Sequence, residues 1–236
     1  MEWTLEAVSA KIRQLKERGF IPVPSNMFRE DEGIVGQLLE REFNVKENNL
    51  TVRDLGTFEL KGMREKSNTM TLCHKKPEVG LTPIEIFERF GYKAPSRRNP
   101  SVMKKKLFTT VKSRPNNLGL RLIAKEKTGI EMYHGEEFIC KWDLSEQLKK
   151  IEKIILVDAR TTGKTRSKEE RFHYTGAYLL EELRPLVDLV QEGILVIDFC
   201  IDQKVGDSRS PHDRGPHIRV PRKKLEKAYR KSIRIV

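Results

Sequence analysis

Hydrophobic and polar residues follow two different periods along the chain, and each period predicts one type of element. Apolar residues that recur every three or four positions, as at Val8, Ile12 and Leu15, lie on one face of a helix. With the usual start and stop signals, we predict helices at about Leu5–Arg18, Gly33–Phe43, Lys168–Gln191 and Arg222–Arg230, and a helix that begins at Pro83 and ends at Gly91.

Shorter apolar runs bounded by turn residues predict strands. We place them at Phe58–Lys61, Met70–Lys75, Leu118–Ala124, Ile130–Tyr133, Glu137–Trp142, Lys153–Asp158 and Ile194–Ile201. Because strands occur in both halves and are mixed with helices, the pattern predicts an α/β (mixed α+β) fold with a mixed sheet.

Composition narrows the class of protein. The chain has 236 residues, of which 37% are hydrophobic, so it is long enough for one or two domains with a buried core. Its apolar runs are too short to span a membrane, and the first six residues lack the layout of a signal peptide. Cys73, Cys140 and Cys200 lie far apart in apolar runs, which predicts buried reduced thiols and no zinc site. We therefore expect a cytoplasmic protein, neither secreted nor embedded in a membrane.

The formal net charge of +12 is concentrated in two segments. Residues 93–127 hold eleven Lys or Arg and one acid, and residues 207–236 hold ten basic residues and three acids. Either segment alone could be a solvated lysine-rich face, but together they predict binding to a nucleic acid. Lys104, Lys105 and Lys106 are the expected phosphate contacts in the first segment.

Asp54, Glu59 and Lys61 form the most informative chemical pattern. On a strand, Glu59 and Lys61 point to the same face, and a bend at Gly56 can bring Asp54 beside them. Two carboxylates can hold Mg²⁺ against a phosphate oxygen, while an ammonium orients water and offsets developing charge, so the pattern suits phosphodiester hydrolysis. The alternative is an exposed ion pair on an amphipathic strand of a DNA-binding protein without catalysis.

These residues, preceded by Gly36–Glu40, resemble the family of the MutH mismatch-repair nicking enzyme and the MvaI and BcnI restriction endonucleases. The similarity to BcnI covers nearly the whole chain and is carried by Val23–Arg29, Phe58–Arg64, His74–Pro77, Val102–Thr110 and Pro211–His217. The resemblance implies a restriction-endonuclease (PD-(D/E)xK) core in a single nuclease domain, 1–236, with two lobes flanking a DNA-binding cleft. We place the catalytic lobe at about 1–115 and the DNA-recognition lobe at about 116–236.

The resemblance also implies roles for individual residues. Asp54 and Glu59 would be metal ligands for Mg²⁺, with Mn²⁺ able to substitute; Lys61 would lie beside the attacking water, and Glu40 would help to position Lys61. The enzyme would be a monomer that nicks one strand of double-stranded DNA at a time, leaves 5′-phosphate ends, and belongs to a restriction-modification system with a cognate DNA methyltransferase.

The target implied by BcnI is CC(C/G)GG, and the chemistry of one predicted loop, Pro211–Arg219, agrees with a G·C-rich site. Arginine reads the edge of guanine, and aspartate accepts from cytosine N4. The candidates in the loop are His212, Asp213, Arg214, His217 and Arg219. The resemblance places His74 and His217 at the central base pair, where two neutral imidazoles could exchange donor and acceptor roles. Two alternatives stay open: an A/T central pair, as MvaI is understood to tolerate, and a MutH-like repair nuclease that needs an activator protein. We assign no role to His134 or His173.

Overall fold

The computed structural model describes residues 3–27, 33–45, 52–164 and 167–236. Its helices are α1 (Leu5–Arg18), α2 (Ile34–Glu42), α3 (Pro83–Phe90), α4 (Ser145–Ile151), α5 (Leu186–Gln191) and α6 (Leu225–Ala228), with 3-10 turns at Ser25–Met27 and Arg222–Lys224. Its strands are β1 (Ile21–Pro22), β2 (Glu59–Arg64), β3 (Thr69–His74), β4 (Val79–Gly80), β5 (Tyr92–Pro95), β6 (Met103–Val111), β7 (Leu120–Ile123), β8 (Gly129–His134), β9 (Glu137–Asp143), β10 (Lys153–Thr162), β11 (Arg171–Leu183), β12 (Val196–Lys204), β13 (His212–Asp213), β14 (His217–Pro221) and β15 (Tyr229–Arg234). The mixed α/β class predicted from the sequence is confirmed.

The chain divides into two compact units, each assembled from separate parts of the sequence. The first unit comprises Met1–Asn68, Glu146–Leu183 and Tyr229–Val236, and the second comprises Thr69–Ser145 and Arg184–Ala228. The expected division into lobes at about residue 115 does not coincide with these units, because the chain passes from one unit to the other four times. Strands that lie far apart in the sequence pair with each other within each unit, so each unit contains segments from both sides of residue 115.

One mixed sheet organises the first unit. Its order is β1-β11-β10-β2, and β15 pairs with β11. Strand β10 is antiparallel to β11 and parallel to β2. Helix α1 begins at the N-cap Thr4, whose hydroxyl accepts from the Ala7 amide, and ends at Gly19 with φ +73°. The helices α1 and α2 bury Val8, Ile12, Leu15, Leu38 and Leu39 against the sheet residues Leu60, Ile155, Val157, Phe172 and Tyr174.

Two sheets organise the second unit. One has the order β3-β14-β12-β6-β5, with β13 paired to β12, and the other is an antiparallel sheet with the order β4-β9-β8-β7. The predicted meander of three strands is confirmed as β7, β8 and β9. Trp142 and Phe199 meet in the core with ring centroids 6.4 Å apart. Helix α3 has a capping box between Thr82 and Glu85, with Pro83 in its first turn, as its sequence predicted.

The predicted long helix at Lys168–Gln191 is wrong. Its first part is the strand β11, and only Leu186–Gln191 is helical. The buried Phe172 and Tyr174 alternate with more exposed neighbours, which is the period of a strand. Residues 179–183 are good helix formers, but β11 pairs with β10 on one side and with β1 and β15 on the other, and this pairing overrides local propensity.

Two predictions near the C-terminus also need correction. The expected helix at Arg222–Arg230 ends at Ala228, and the chain continues as β15 along the edge of β11. The loop expected at Pro211–Arg219 contains β13 and β14, which pair with β12. In both places the strands are short, and two of them are stabilised by partners far along the chain, since β15 pairs with β11 and β14 with β3.

The cysteines and the length of the apolar helices are two features on which composition gave expectations. All three cysteines are free thiols; Cys140 is buried, whereas Cys73 and Cys200 are only partly buried. Among the described residues, no helix is both long enough and apolar enough to cross a membrane.

Candidate active site

The loop that precedes β2 places a carboxylate beside the strand. The Leu55 amide donates to the Phe58 carbonyl at 3.0 Å, and Gly56 takes φ +74°, a left-handed conformation that costs glycine little. The loop therefore turns back, and Asp54 Oδ2 accepts a hydrogen bond of 3.1 Å from the Leu60 amide. This bond fixes the Asp54 carboxylate next to the first residues of β2.

Glu59 and Lys61 lie on the same face of β2, as their spacing predicts. Lys61 Nζ is 2.8 Å from Glu59 Oε1, and Phe58 and Leu60 are buried in the core on the other side. Glu59 is only 2% exposed, and its Oε2 accepts no hydrogen bond from the described part of the chain. Burial, and secondarily the nearby Glu59 carboxylate, raise the pKa of Asp54 above its usual value. The site is thus a pair of crowded carboxylates that a cation would stabilise.

Glu40 approaches this site because α2 packs very closely on β2. A Cβ added to Gly62 would lie 2.9 Å from the Val35 carbonyl oxygen and 3.0 Å from Gly36 Cα, so helix and strand meet at two glycines. Glu40 follows Gly36 by one turn on the same helix face, and its Oε1 lies 4.0 Å from the ideal Cβ position of Gly36. The structure thereby places Glu40 on the side of α2 that faces β2, where Gly62 directly follows Lys61.

Sequence analysis missed two residues of this cluster, Lys150 and Arg53. Lys150 Nζ, at the end of α4, lies 3.4 Å from Glu59 Oε2 and 3.9 Å from Asp54 Oδ1. The Arg53 guanidinium donates to the carbonyls of Thr57, Lys149 and Lys150, so it ties the loop before β2 to α4. No local pattern in the sequence marks them, because Lys150 and Arg53 approach each other only through the parallel pairing of β10, which follows α4, with β2.

The donor set fits a hard divalent cation. Among the described residues, no group of three or more His, Cys, Asp or Glu side chains could hold a metal. Mg²⁺, however, is usually bound by one or two carboxylates together with water and substrate phosphate. Asp54 and Glu59 supply two carboxylates. The buried Oε2 of Glu59 accepts no hydrogen bond from the described chain, although the Lys150 ammonium lies 3.4 Å away, so this oxygen could become a metal ligand. These residues therefore fit Mg²⁺ that is completed by a phosphate oxygen.

The second unit brings His74 and His217 together. They are cross-strand partners in β3 and β14, and their rings meet edge to face with centroids 4.3 Å apart. Burial of the ring, with smaller contributions from His74 and Arg219, lowers the pKa of His217 to about 4. His217 Nδ1 is buried and has no hydrogen-bond partner in the described chain. The His217 imidazole is therefore neutral near pH 7 and keeps a nitrogen for another partner.

The remaining base-reading candidates lie on the neighbouring strands and turn. His212 is exposed on β13, and Asp213 Oδ1 accepts from the Gly215 amide at 2.7 Å. Arg214 Nη1 lies 3.6 Å from Cys200 Sγ. Arg219, by contrast, is held within the protein, because it donates to Thr71 Oγ1 at 3.1 Å and to Asp198 Oδ2 at 2.8 Å. Reading a base with Arg219 would require a change in these bonds.

The three lysines expected to bind phosphates all have partners within the second unit. Lys104 Nζ is 2.5 Å from Asp202, and Lys105 Nζ is 2.5 Å from Glu88. Lys106 is 7% exposed and donates to the Pro95 carbonyl. These lysines stabilise β6 and its neighbours, and the positive charges of Lys104 and Lys105 are partly neutralised in the protein alone.

The two sets of candidates divide between the units. Glu40, Asp54, Glu59 and Lys61 belong to the first unit, whereas all the candidates for DNA contact belong to the second. Of the histidines without an assigned role, His173 lies on β11, not on a helix, and its Nε2 bonds with the Lys16 carbonyl oxygen. His134 ends β8 and packs against the Phe90 ring.

Comparisons with known proteins identify the family. The model of the MvaI/BcnI restriction endonuclease family matches residues 9–229. Among solved structures, the chain is similar to restriction endonuclease MvaI in complex with its cognate DNA substrate, with a TM-score of 0.75 and 19% identity over 100% of both chains. It is also similar to MvaI in the absence of DNA, with a TM-score of 0.51 and 20% identity over 100% of this chain and 99% of the other. No match was found among curated proteins.

The structural similarity shows that the chain has the restriction-endonuclease fold. The family match covers nearly the whole chain and shows that the protein is an enzyme, a site-specific deoxyribonuclease, which rules out the alternative of a DNA-binding protein without catalysis. On this basis the chain belongs to the MvaI/BcnI restriction endonuclease family.

Proposed function

We propose that this type II restriction endonuclease uses Mg²⁺ to cut double-stranded DNA at CC(C/G)GG, leaving 5′-phosphate and 3′-hydroxyl ends. The observation that carries the catalytic part is the cluster of Asp54, Glu59 and Lys61 on β2 and its loop, with Lys61 Nζ 2.8 Å from Glu59. Mn²⁺ should substitute, because it accepts the same oxygen ligands.

Asp54 and Glu59 would hold the ion, which supplies charge neutralisation and a more acidic bound water. Glu59 also fixes the Lys61 ammonium on the exposed side of β2. Held there, the ammonium would orient the attacking water and offset the negative charge that develops on the phosphate. Glu40, on the face of α2 that packs on β2, would help to keep Lys61 in position.

His74 and His217 would read the central base pair. A neutral imidazole has one donor and one acceptor nitrogen, and a pair of them can exchange these roles. Such a pair can therefore accept C·G and G·C alike. The low pKa of His217 and its unbonded Nδ1 support this role. The flanking G·C pairs would be contacted by His212, Asp213, Arg214 and Arg219. The DNA backbone would be contacted by Lys104, Lys105 and Lys106. Side chains that have partners within the protein would exchange them for DNA.

Single substitutions test the catalytic assignment. Asp54→Ala and Lys61→Ala should each slow Mg²⁺-dependent plasmid cleavage by at least about a hundredfold while DNA binding persists. Lys149→Ala is the matched control, because Lys149 is a neighbouring lysine of α4 that is 73% exposed and pairs with Glu146. Cleavage at the wild-type rate by either of the first two variants would show that the assigned centre is wrong.

Mapping the ends of a digested plasmid of known sequence tests the target. We expect cuts at CC(C/G)GG and none at CC(A/T)GG, and the reverse result would assign the A/T alternative. His74→Ala and His217→Ala should reduce cutting at the cognate site more than binding to unrelated DNA. Equal losses on both kinds of DNA would refute a role of the histidines at the central pair.

The remaining parts of the proposal concern assembly and cellular context. We propose that the enzyme acts as a monomer in the cytoplasm, nicks each strand separately, and is accompanied by a cognate DNA methyltransferase that protects the host sites. Sedimentation should give the mass of one chain, and open-circular DNA should accumulate before linear DNA on a plasmid with one site. Cleavage by the purified chain alone would exclude a MutH-like requirement for an activator, and methylation of the site should block cutting.

A further inference from the structure

Lys150 has no role in the proposed catalysis by Asp54, Glu59 and Lys61 or in the proposed contacts to bases, yet it lies at the site. Its ammonium lies against both carboxylates of the site, 3.4 Å from Glu59 Oε2 and 3.9 Å from Asp54 Oδ1. Glu59 is 3% exposed at its side chain and Asp54 14%. Two buried carboxylates this close repel each other, and a cation between them removes much of that cost.

The backbone near Lys150 is held firmly, although the side chain itself is long. Arg53 donates to the carbonyls of Lys149 and Lys150, and Tyr229 Oη donates to the next carbonyl, that of Ile151. Two residues later β10 begins, and it pairs in parallel with β2 so that Ile154 is in register with Glu59. The Lys150 side chain starts from this fixed point, is 25% exposed, and has a flexible four-carbon stem.

We propose that the Lys150 ammonium is a resident counter-cation that fills the place of the metal between Asp54 and Glu59 and must move aside when the metal binds. The inference rests on the proposed function, which places Mg²⁺ at these two residues. A metal ion lies about 2 Å from its oxygen ligands, so an ammonium in contact with the same oxygens would be only a few ångströms from it. Two like charges at that distance repel strongly in a partly buried site.

Competition of this kind has a functional consequence. The enzyme without DNA remains stable while its metal site is empty, because Lys150 neutralises the carboxylates. Its affinity for metal is lowered by the cost of displacing the ammonium. A DNA phosphate adds an oxygen ligand and a negative charge at the site, which favours the metal over the ammonium. Lys150 would thereby make metal binding depend on DNA binding.

Equilibrium metal binding to the DNA-free protein tests the proposal without measuring cleavage. Free Mn²⁺ can be followed by its electron paramagnetic resonance signal in wild-type protein and in Lys150→Met, which keeps the apolar stem and removes the charge. We expect Lys150→Met to bind Mn²⁺ on the order of tenfold more tightly, and Lys150→Arg, which keeps the charge, to bind close to wild type. Lys149→Met is the control, because it removes the adjacent, exposed lysine of α4.

Asp54→Asn separates failure of this inference from failure of the proposed function. If Asp54→Asn loses Mn²⁺ binding while Lys150→Met binds as wild type or more weakly, the metal site stands and the counter-cation is refuted. If Asp54→Asn binds as wild type, the proposed metal site itself is wrong. Thermal melting gives a second measurement: in EDTA, Lys150→Met should melt below wild type, and added Mn²⁺ should raise its melting temperature more than that of wild type. The same increase in both proteins would overturn the proposal.

Discussion

The neutral state of His217 gives a quantitative prediction of how stability depends on pH. The pKa of His217 is lowered from 6.5 to about 4, chiefly by burial of its ring. Because the unfolded chain binds a proton near pH 6.5 and the folded chain does not, stability falls as the pH is lowered from about 6.5 towards 4. The pKa difference corresponds to at most about 3 kcal/mol, and since the ring is only partly buried we expect about 1–2 kcal/mol.

A matched pair of variants isolates this contribution. Urea unfolding of wild-type protein and of His217→Asn should be followed at pH 7, 6, 5 and 4.5. The wild-type protein should lose about 1–2 kcal/mol more than His217→Asn over this range. His134→Asn, which removes a histidine at the exposed end of β8, should keep the wild-type dependence on pH. The C2 proton of His217 in an NMR titration gives its pKa directly.

The same titration bears on recognition. If His217 stays neutral down to about pH 5, the preference for a central G·C pair over A·T should be constant from pH 6 to 8. A measured pKa of His217 near 6.5 would refute this account, because most of the rings would then be charged at pH 6, and a charged imidazole has two donors and no acceptor. The ring would then be unable to exchange roles with His74.

Three further predictions concern packing and positioning. Gly62→Ala should destabilise the protein by about 1–3 kcal/mol in urea unfolding and slow cleavage, because the added Cβ would press α2 away from β2. Gly36→Ala should be neutral or stabilising, because the nearest atom to its added Cβ is 3.9 Å away. Similar losses of stability in both variants would contradict the close contact of helix and strand. Glu170→Gln should lower the free energy of unfolding by about 3–5 kcal/mol, because it removes the carboxylate that pairs with the buried Arg64 guanidinium. A decrease below about 1 kcal/mol would mean that the pair behaves like a surface ion pair. Arg53→Met removes three hydrogen bonds to carbonyls. It should lower the free energy of unfolding by about 2–3 kcal/mol and reduce the rate of cleavage. Unchanged cleavage would show that the loop before β2 keeps its shape without these bonds.

The local geometry of the candidate active site could be predicted from the sequence because it depends on neighbouring residues. Side-chain alternation alone places Glu59 and Lys61 on one face, and a glycine is the residue that allows the bend before them. The position of Asp54 follows from that bend, which six residues determine. Helix α1 was predicted with its observed bounds for the same reason, since its cap, its apolar spacing and its terminal Gly19 are all adjacent in sequence.

Features that depend on partners far along the chain could not be predicted in this way. Strand β11 contains the helix-forming run at residues 179–183, and only pairing with three other strands makes it extended. Lys150 reaches the carboxylates because β10 is parallel to β2, a pairing that no local pattern encodes. Strands β13 and β14 of the second unit lie in a segment predicted as a loop, because both are short and proline and glycine residues interrupt the segment; no local pattern encodes the pairing of β14 with β3.

The distribution of charge shows why composition alone overstates the surface available to DNA. Residues 93–127 carry a large positive excess in the sequence, yet Lys104 and Lys105 pair with acids that lie outside this segment, Asp202 and Glu88. A charge that is already paired contributes less to long-range attraction and must exchange partners before it grips a phosphate. The same principle would act at the proposed metal site, where the Lys150 ammonium lies 3.4 Å from the Glu59 carboxylate. At these positions the protein without DNA pairs its charges internally. We therefore expect binding of DNA and metal to proceed partly by exchange of ion pairs, and the salt dependence of binding to be weaker than the count of basic residues indicates.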